Sequence, residues 1–351
     1  MIHEHPVNGQ DLQRGCSGGV HEQEGEGVHH DGAGHGDDEQ VGGEEVHHDG
    51  AGHGGDEQVG GLAGDCGALV GYVDDGAYSY AHTDPVILSE VLSRKYALLE
   101  DWMNSNKLVV NPDKTHLMVM GKSAARRGDV SLQAGPFTIL PTETEKLLGG
   151  QLHQSLQWNQ HIRDHESSMV RQLTTRINGL KKISVNATFN TRLMIANGVV
   201  MSRMAYLINL WGGAQQYLLK ALQVQQLTAA RTVCGFFSYG WSKKKLLSRV
   251  KWLSVRQLIF FHTVLQAHKT IITGQPRPLF NSISTDHPRN TRSAENGHIR
   301  FNETFTARTT FKYRALHWYN SVPASVKIGS QDMVKRKLKT WIGEHVPLDW
   351  G

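Results

Sequence analysis

Residues 70–75 read Val-Gly-Tyr-Val-Asp-Asp, and Gly76 follows them. An apolar start leads through a tyrosine to two adjacent carboxylates, Asp74 and Asp75, and the glycine after them tolerates a positive φ. This pattern predicts a β-hairpin with the aspartates at its tip. Taken alone, it also fits an ordinary surface turn with solvated acids, so the neighbouring segments decide between the two interpretations.

The segments after this hairpin predict a helix and two further hairpins. Asp84-Pro85 is a helix-start signal, with Asp at the cap and Pro at the first helical position. Apolar residues then recur at three- and four-residue spacing to about residue 105, which predicts one helix. Residues 107–120 have two apolar runs around an Asn-Pro-Asp turn and predict strand, turn and strand. Residues 145–158 predict an apolar hairpin with a Gly-Gly centre.

This order of elements resembles the second half of the reverse transcriptase of non-LTR retrotransposons of the jockey and chicken-repeat type. In that family a Tyr-x-Asp-Asp hairpin is followed by a helix with a tryptophan, an Asn-x-x-Lys-Thr segment, and a Leu-Gly hairpin that ends in Trp-x-x-His-Ile. Five features in this order are more specific than any one of them, and the resemblance covers about residues 66–345. The matching features are Tyr72–Asp75, Trp102, Asn111–Thr115, Leu148-Gly149 and Trp158–Ile162.

The resemblance implies an α+β fold. A partial polymerase palm of antiparallel hairpins with a packed helix is followed by a mostly helical thumb and C-terminal region. The expected organisation is a disordered Gly/His/Asp-rich segment at 1–64, the palm at 65–160, the thumb-like domain at 161–275, a linker at 276–310 and a helical tail at 311–351.

The resemblance also implies site residues, a cofactor and partners. Asp74 would be a direct ligand of magnesium (Mg2+), and Asp75 would assist or ligate more weakly. Lys114 matches the lysine that protonates departing pyrophosphate, although a surface lysine beside a turn fits as well. Leu148 and Gly149 would form the primer grip, which is compatible with ordinary hairpin packing. The implied partners are an RNA template, a DNA primer or RNA–DNA duplex, and deoxynucleotides.

Two classes of function are left open by the sequence. The family's palm also has an earlier strand with another metal-binding aspartate, and a fingers region, and residues 1–65 resemble neither. One class is an RNA-directed DNA polymerase fragment by ancestry. The other is a truncated, non-catalytic remnant that binds nucleic acid through its basic thumb. This second class is favoured for the isolated chain, because a two-metal site needs at least one more carboxylate than the hairpin supplies.

The first 64 residues are repetitive. The segment 28–43 recurs as 46–61, with a period of 18 residues and very little aliphatic or aromatic content. Such a segment cannot bury enough surface to offset its conformational entropy, so we expect disorder. Its histidines could weakly chelate zinc, copper or nickel, but an incidental low-complexity leader is the favoured interpretation.

Charge divides the chain at the same boundary. Residues 1–65 hold one Arg and 15 Asp and Glu, so the rest of the chain holds 36 basic and 18 acidic residues. A surface with this excess of cations predicts a polyanionic partner such as nucleic acid. Several cations follow Trp241 closely, which indicates phosphate contact and base stacking. An ordinary surface loop is the alternative interpretation of this segment. The candidate nucleic-acid-binding residues are Lys243, Lys244, Lys245, Arg249 and Lys251.

Apolar periodicity after residue 163 is helical. It predicts a basic amphipathic helix near the C-terminus, with Met333, Leu338, Trp341 and Ile342 facing inward. The other predicted helices span about 169–182, 193–211, 217–234 and 255–272. No basic start with an apolar stretch and no run of about twenty apolar residues is present, so we expect an intracellular protein, in cytoplasm or nucleus, without a membrane partner.

Overall fold

The computed structural model describes residues 67–72, 75–121, 128–235, 238–284, 297–301 and 310–349. These residues form two compact units. The hairpin unit comprises the described residues up to Thr115 together with Gly128–Leu140, and the helical unit comprises His116 to Gly121 and the described residues from Pro141 onward. The 18-residue repeat and its histidines lie outside the described residues.

The hairpin unit begins with the predicted Tyr-x-Asp-Asp hairpin. Strand β1 is Ala68–Tyr72 and strand β2 is Asp75–Ser79, and they pair antiparallel with Tyr72 opposite Asp75. Helix α1, Pro85–Ser105, follows. The Asp84 side chain caps it by accepting a hydrogen bond from the Val86 N–H at 2.9 Å, so the predicted helix start is confirmed.

A short hairpin that the sequence analysis did not predict packs on α1. Strands β3, Leu132–Ala134, and β4, Phe137–Ile139, pair antiparallel. The backbone N–H of Gln133 donates to the Ser93 hydroxyl of α1 at 2.9 Å. Apolar side chains close the contact: Leu88 and Tyr96 of α1 with Val130, Leu132 and Ala134 are all buried.

The predicted pair of strands over residues 107–120 does not form. A single 3-10 turn, Pro112–Lys114, takes the place of the expected tight turn, and the Asn111 side chain caps it by accepting from the Asp113 N–H at 2.9 Å. Val109 is 87% exposed, so the first apolar run has no sheet to bury it. In the second run, Leu117 makes one isolated bridge to Pro141.

The helical unit opens with the predicted Leu-Gly hairpin. Strand β5 is Thr144–Leu147 and strand β6 is Gly150–His153, and they are antiparallel. This unit also has two five-residue π-helical turns: Gln160–Asp164 precedes its first helix, and Asn197–Met201 lies between two later helices. The remaining elements are α2 Met169–Ser184, α3 Phe189–Ala196, α4 Ser202–Ala205, α5 Ile208–Trp211, α6 Gln216–Cys234, α7 Lys243–Val250, α8 Val255–Thr273, α9 Arg277–Phe280, β7 Ile283–Ser284, β8 Arg300–Phe301, α10 Phe311–Ser321, α11 Ala324–Lys327 and α12 Gln331–His345.

The core of the helical unit is an apolar cluster around Trp211, whose side chain is 0% exposed. Helices α2, α6 and α8 contribute residues at helical spacing, which confirms the predicted helices over about 169–182, 217–234 and 255–272. The buried members include Met169, Leu173, Ile177, Met204, Ile208, Leu218, Leu222 and Ile259.

The helix predicted over residues 193–211 forms as far as Ala205, with a π-helical turn at Asn197–Met201, and is then interrupted. Leu207 has a φ of 55°, in the left-handed region, between α4 and α5. This sharp corner turns Trp211 into the core, where its indole N–H donates to the Tyr206 carbonyl at 2.8 Å. We refer to residues 206–207 as the Tyr206 corner.

Two expectations for the C-terminal part need correction. The predicted linker contains α9 and the β7–β8 pair, and Ile299 within it is buried against α10, where Asn320 bonds both its N–H and its carbonyl, at 2.8 and 2.9 Å. In α12, Leu338 and Ile342 are buried as predicted, but Met333 is 41% exposed, and Val334 takes the inward position. No helix in the described ranges is long and apolar enough to cross a bilayer.

Candidate nucleic-acid interface

Strands β1 and β2 form the antiparallel hairpin that the Tyr-x-Asp-Asp pattern predicts. Asp74 lies outside the described residues, and the backbone of Asp75 begins β2 opposite Tyr72. Lys114 ends the 3-10 turn of the same unit and is exposed. Among the described residues, no group of three or more His, Cys, Asp or Glu side chains could hold a metal ion. Magnesium therefore stays an expectation that depends on Asp74.

The turn between β5 and β6 is a strained two-residue turn. Leu148 has a φ of 46° and Gly149 a φ of 76°, so both residues of the turn are left-handed, as a type I′ hairpin requires. A leucine in this conformation costs about 1–2 kcal/mol relative to a right-handed one. The sequence placed the primer grip at these two residues, and the structure shows that they form the tip of the hairpin.

The Tyr206 corner holds this turn in place. The Tyr206 hydroxyl donates a hydrogen bond to the Leu148 carbonyl. A Cβ on Gly150 would lie 2.9 Å from the Leu207 Cδ1 atom, so only glycine allows this close approach without a shift of that side chain. The hairpin tip is thus fixed to a corner that is itself anchored by Trp211 in the core.

A cationic cleft of about 170 Å³ lies beside the hairpin tip. Arg203 of α4, Arg176 of α2 and Lys146 of β5 each contribute a cation to it, and none of the described lining residues is Asp or Glu. The Arg176 guanidinium also donates to the Val199 carbonyl at 2.8 Å, which fixes its position. The other lining residues are Gly149, Gln151, Ser167 and Gln172.

The sequence did not predict this cleft. Its three cations come from a strand and two helices that are far apart in the chain, and each is an ordinary basic residue in its own segment. The only local signal was the Leu-Gly turn beside it, which is near Lys146. Tertiary packing alone brings Arg176 and Arg203 to that turn.

The five basic residues chosen from the sequence lie on or next to α7. Ser242 caps this helix by accepting from the Lys245 N–H at 3.3 Å. The three lysines therefore occupy its first turn, whereas Arg249 lies in its last turn and Lys251 follows it with a φ of 57°. The structure thus separates the five cations into two groups at opposite ends of the helix.

Individual contacts of these cations differ. Lys243 forms an ion pair with Asp349, and the Lys245 ammonium lies 4.5 Å from the centre of the Trp241 ring. Arg249 stacks on Phe189, with its guanidinium carbon 4.2 Å from the ring centre. Lys244 is exposed. Trp241 and the lysines of the first turn form the better candidate surface, because three consecutive cations lie there beside an aromatic ring.

A scan against protein-family models and searches of curated proteins and of solved structures find nothing that matches this chain. The resemblance to non-LTR reverse transcriptases therefore depends on the five sequence features alone.

Proposed function

We propose that this chain is part of a reverse transcriptase of the non-LTR retrotransposon kind and that its helical unit binds the sugar–phosphate backbone of nucleic acid. The expected ligand is an RNA–DNA duplex or an RNA template with its primer. Binding is assigned to the helical unit because the two basic surfaces, the first turn of α7 and the cleft at the β5–β6 turn, both belong to it.

The observation that carries the proposal is the unfavourable charge at the start of α7. The N-terminal end of a helix bears a partial positive charge and is stabilised by acidic residues. Here Lys243, Lys244 and Lys245 occupy the first turn without an acidic residue. Asp349 pairs with Lys243, and Lys244 and Lys245 have no ion pair among those seen in the described residues. A sequence that breaks this rule at an exposed position is best explained by an anionic partner, which the exposed backbone N–H groups and the lysines can bind together.

We expect the double substitution Lys244→Gln with Lys245→Gln to weaken duplex binding about tenfold and to lower the slope of log affinity against log salt by about 2. The same variant should be slightly more stable than the parent, since two cations leave the positive helix end. Fluorescence anisotropy with a labelled RNA–DNA duplex across salt concentrations, and thermal unfolding, measure the two effects.

A matched control is the pair Lys181 and Lys182, two exposed lysines in the last turn of α2. There the cations suit the helix dipole, so their replacement by Gln should lower stability and change the salt slope less. Equal salt slopes for both double variants would contradict a specific role for α7.

The second candidate function is nucleotidyl transfer by the hairpin unit. The register of β1 and β2 supports it, because Tyr72 lies opposite Asp75, as in a hairpin built on the Tyr-x-Asp-Asp pattern. Magnesium, if bound there, would supply charge stabilisation at the reacting phosphate. Asp74 and Asp75 would hold it, and Lys114 would donate a proton to the departing pyrophosphate.

If this candidate is right, the full chain extends a DNA primer on an RNA template with magnesium and deoxynucleotides, and Asp74→Asn reduces extension at least a thousandfold, to about background. Asp101→Asn changes an exposed aspartate on α1 of the same unit and should leave extension unchanged. Duplex binding without any extension by the unaltered chain would leave nucleic-acid binding as the function.

A further inference from the structure

The cleft beside the β5–β6 turn contains cations that lack an acidic counterpart. Burial, and after it the charge of Arg176, lowers the pKa of Arg203, so the two guanidinium groups repel each other. Neither has an ion pair with an acid among those seen in the described residues. Arg203 is half-buried, with its guanidinium carbon 5.7 Å from the centre of the Tyr206 ring, whereas Arg176 is exposed. A half-buried cation beside a second cation is unfavourable unless an anion joins them.

Two buried N–H groups in this region also lack a hydrogen-bond partner. The first is the Nε–H of Arg203, which is shielded from solvent. The second belongs to His161, whose Nδ1 accepts from the Gln151 N–H at 3.2 Å. In the neutral imidazole the proton must then be on Nε2, and this atom is buried without an acceptor. Buried donors of this kind nearly always have a partner in native proteins.

We propose that this cleft, lined by Arg203, Arg176 and Lys146, is a binding site for one phosphate group of a nucleic-acid strand. A phosphate oxygen can accept from the Nε–H of Arg203, and the planar guanidinium can bind phosphate through two parallel hydrogen bonds. The cleft volume of about 170 Å³ is several times the volume that a water molecule occupies.

The position of the cleft identifies a strand as the source of the phosphate. The Leu148-Gly149 tip forms its edge, and Gly149 lines it, so a backbone that runs along the tip would place a phosphate at Arg203. The polar groups of Gln151, Ser167 and Gln172 on the lining can bind further phosphate or sugar oxygens. This assignment rests on the proposed function, since it names the site that one phosphate of the same ligand occupies.

The test compares Arg203→Gln with Arg277→Gln, which removes an exposed arginine from α9. For duplex binding we expect Arg203→Gln to raise Kd about tenfold and to reduce the salt slope by about 1, and Arg277→Gln to change both less. Inorganic phosphate should raise the Tm of the unaltered chain and not that of Arg203→Gln, because a ligand stabilises only the protein that binds it.

A spectroscopic readout separates phosphate binding from a structural role. In the unaltered chain, titration with inorganic phosphate should shift the NMR signal of the Arg203 Nε–H in a saturable manner. The signal is assigned by its loss in Arg203→Lys, which keeps the positive charge and the fold. Without phosphate, Arg203→Gln should unfold at the same or a higher temperature than the parent, since the repulsion from Arg176 is gone.

Each outcome decides between the two proposals. Duplex binding whose salt slope is the same in Arg203→Gln and in the parent would overturn the phosphate site and leave the proposed function intact. A saturable response to inorganic phosphate with no duplex binding would refute the proposed function and overturn the assignment to a strand, because the cleft would then serve a free phosphate monoester.

Discussion

Replacement of Trp211 by Ala is expected to destabilise the helical unit by about 3–5 kcal/mol, the usual loss when a fully buried aromatic side chain is removed. Trp211 is 0% exposed and lies in the apolar cluster that forms the core of the helical unit, with residues of α2, α6 and α8. Its removal leaves a cavity and deprives the Tyr206 carbonyl of its indole donor. The free energy of unfolding in urea, followed by circular dichroism, measures the loss.

Trp211→Phe is the matched control. It keeps most of the apolar surface and removes the indole N–H, so we expect a much smaller loss, of about 1–2 kcal/mol. The two variants should also differ in the site, because the Tyr206 corner carries the hydroxyl that holds Leu148. An alanine variant as stable as the phenylalanine variant would show that Trp211 is not a central element of the core.

The elements that could be predicted from sequence are those fixed by local chemistry. Asp84 predicts the start of α1, because its side chain bonds an N–H only two residues away. The Tyr72–Asp75 hairpin and the Leu148-Gly149 hairpin were also predicted, since each sequence pattern has apolar runs around a turn signal that includes glycine. Amphipathic spacing predicted α2, α6 and α8, because such spacing requires only that one face of each helix packs against the core.

The wrong predictions concern segments whose structure depends on distant partners. Residues 107–120 have the apolar runs of two strands, but a strand needs a neighbour, and Leu117 finds only the single bridge to Pro141. At residue 207, periodicity continues through a left-handed residue, and only the packing of Trp211 reveals the corner. Ile299 was assigned to a linker because its burial depends on Asn320, 21 residues away.

The candidate sites divide in the same way. Asp74, Asp75 and the lysines of α7 could be chosen from sequence because each group is contiguous. Lys146, Arg176 and Arg203 could not, since no single segment contains more than one of them. Leu148 is informative for a different reason: a leucine in a left-handed position is energetically unfavourable, and such strain is often kept where a function requires it.

The stability of the helical unit is expected to fall as the pH decreases from about 6.5 to 4 because of His161. Burial, and after it the charge of Arg203, lowers the pKa of His161 to about 4 in the folded chain. The unfolded imidazole binds its proton near pH 6.5, so in this window the unfolded state binds more protons, and acid favours unfolding. The stabilisation is fully present above pH 6.5 and amounts to about 2–3 kcal/mol.

His161→Asn separates this contribution from the rest of the acid sensitivity. Asparagine can place its carbonyl oxygen where Nδ1 accepts from the Gln151 N–H, and it does not titrate. We expect the variant to be less stable at pH 7 and to lose less stability between pH 6.5 and 4. Burial also lowers the pKa of His262 and of His268, so both proteins keep some acid sensitivity. Urea unfolding at several pH values measures the difference.

The pKa of His161 also reports on the phosphate site. Because the charge of Arg203 contributes to the low pKa, Arg203→Gln should raise the pKa of His161 toward its ordinary value. A phosphate bound to Arg203 should act in the same direction, since its negative charge favours the protonated imidazole. NMR titration of the His161 ring signals with and without inorganic phosphate measures both shifts. A His161 pKa near 6.5 in the unaltered chain, or one that phosphate does not change, would contradict the electrostatic coupling between this histidine and the cleft.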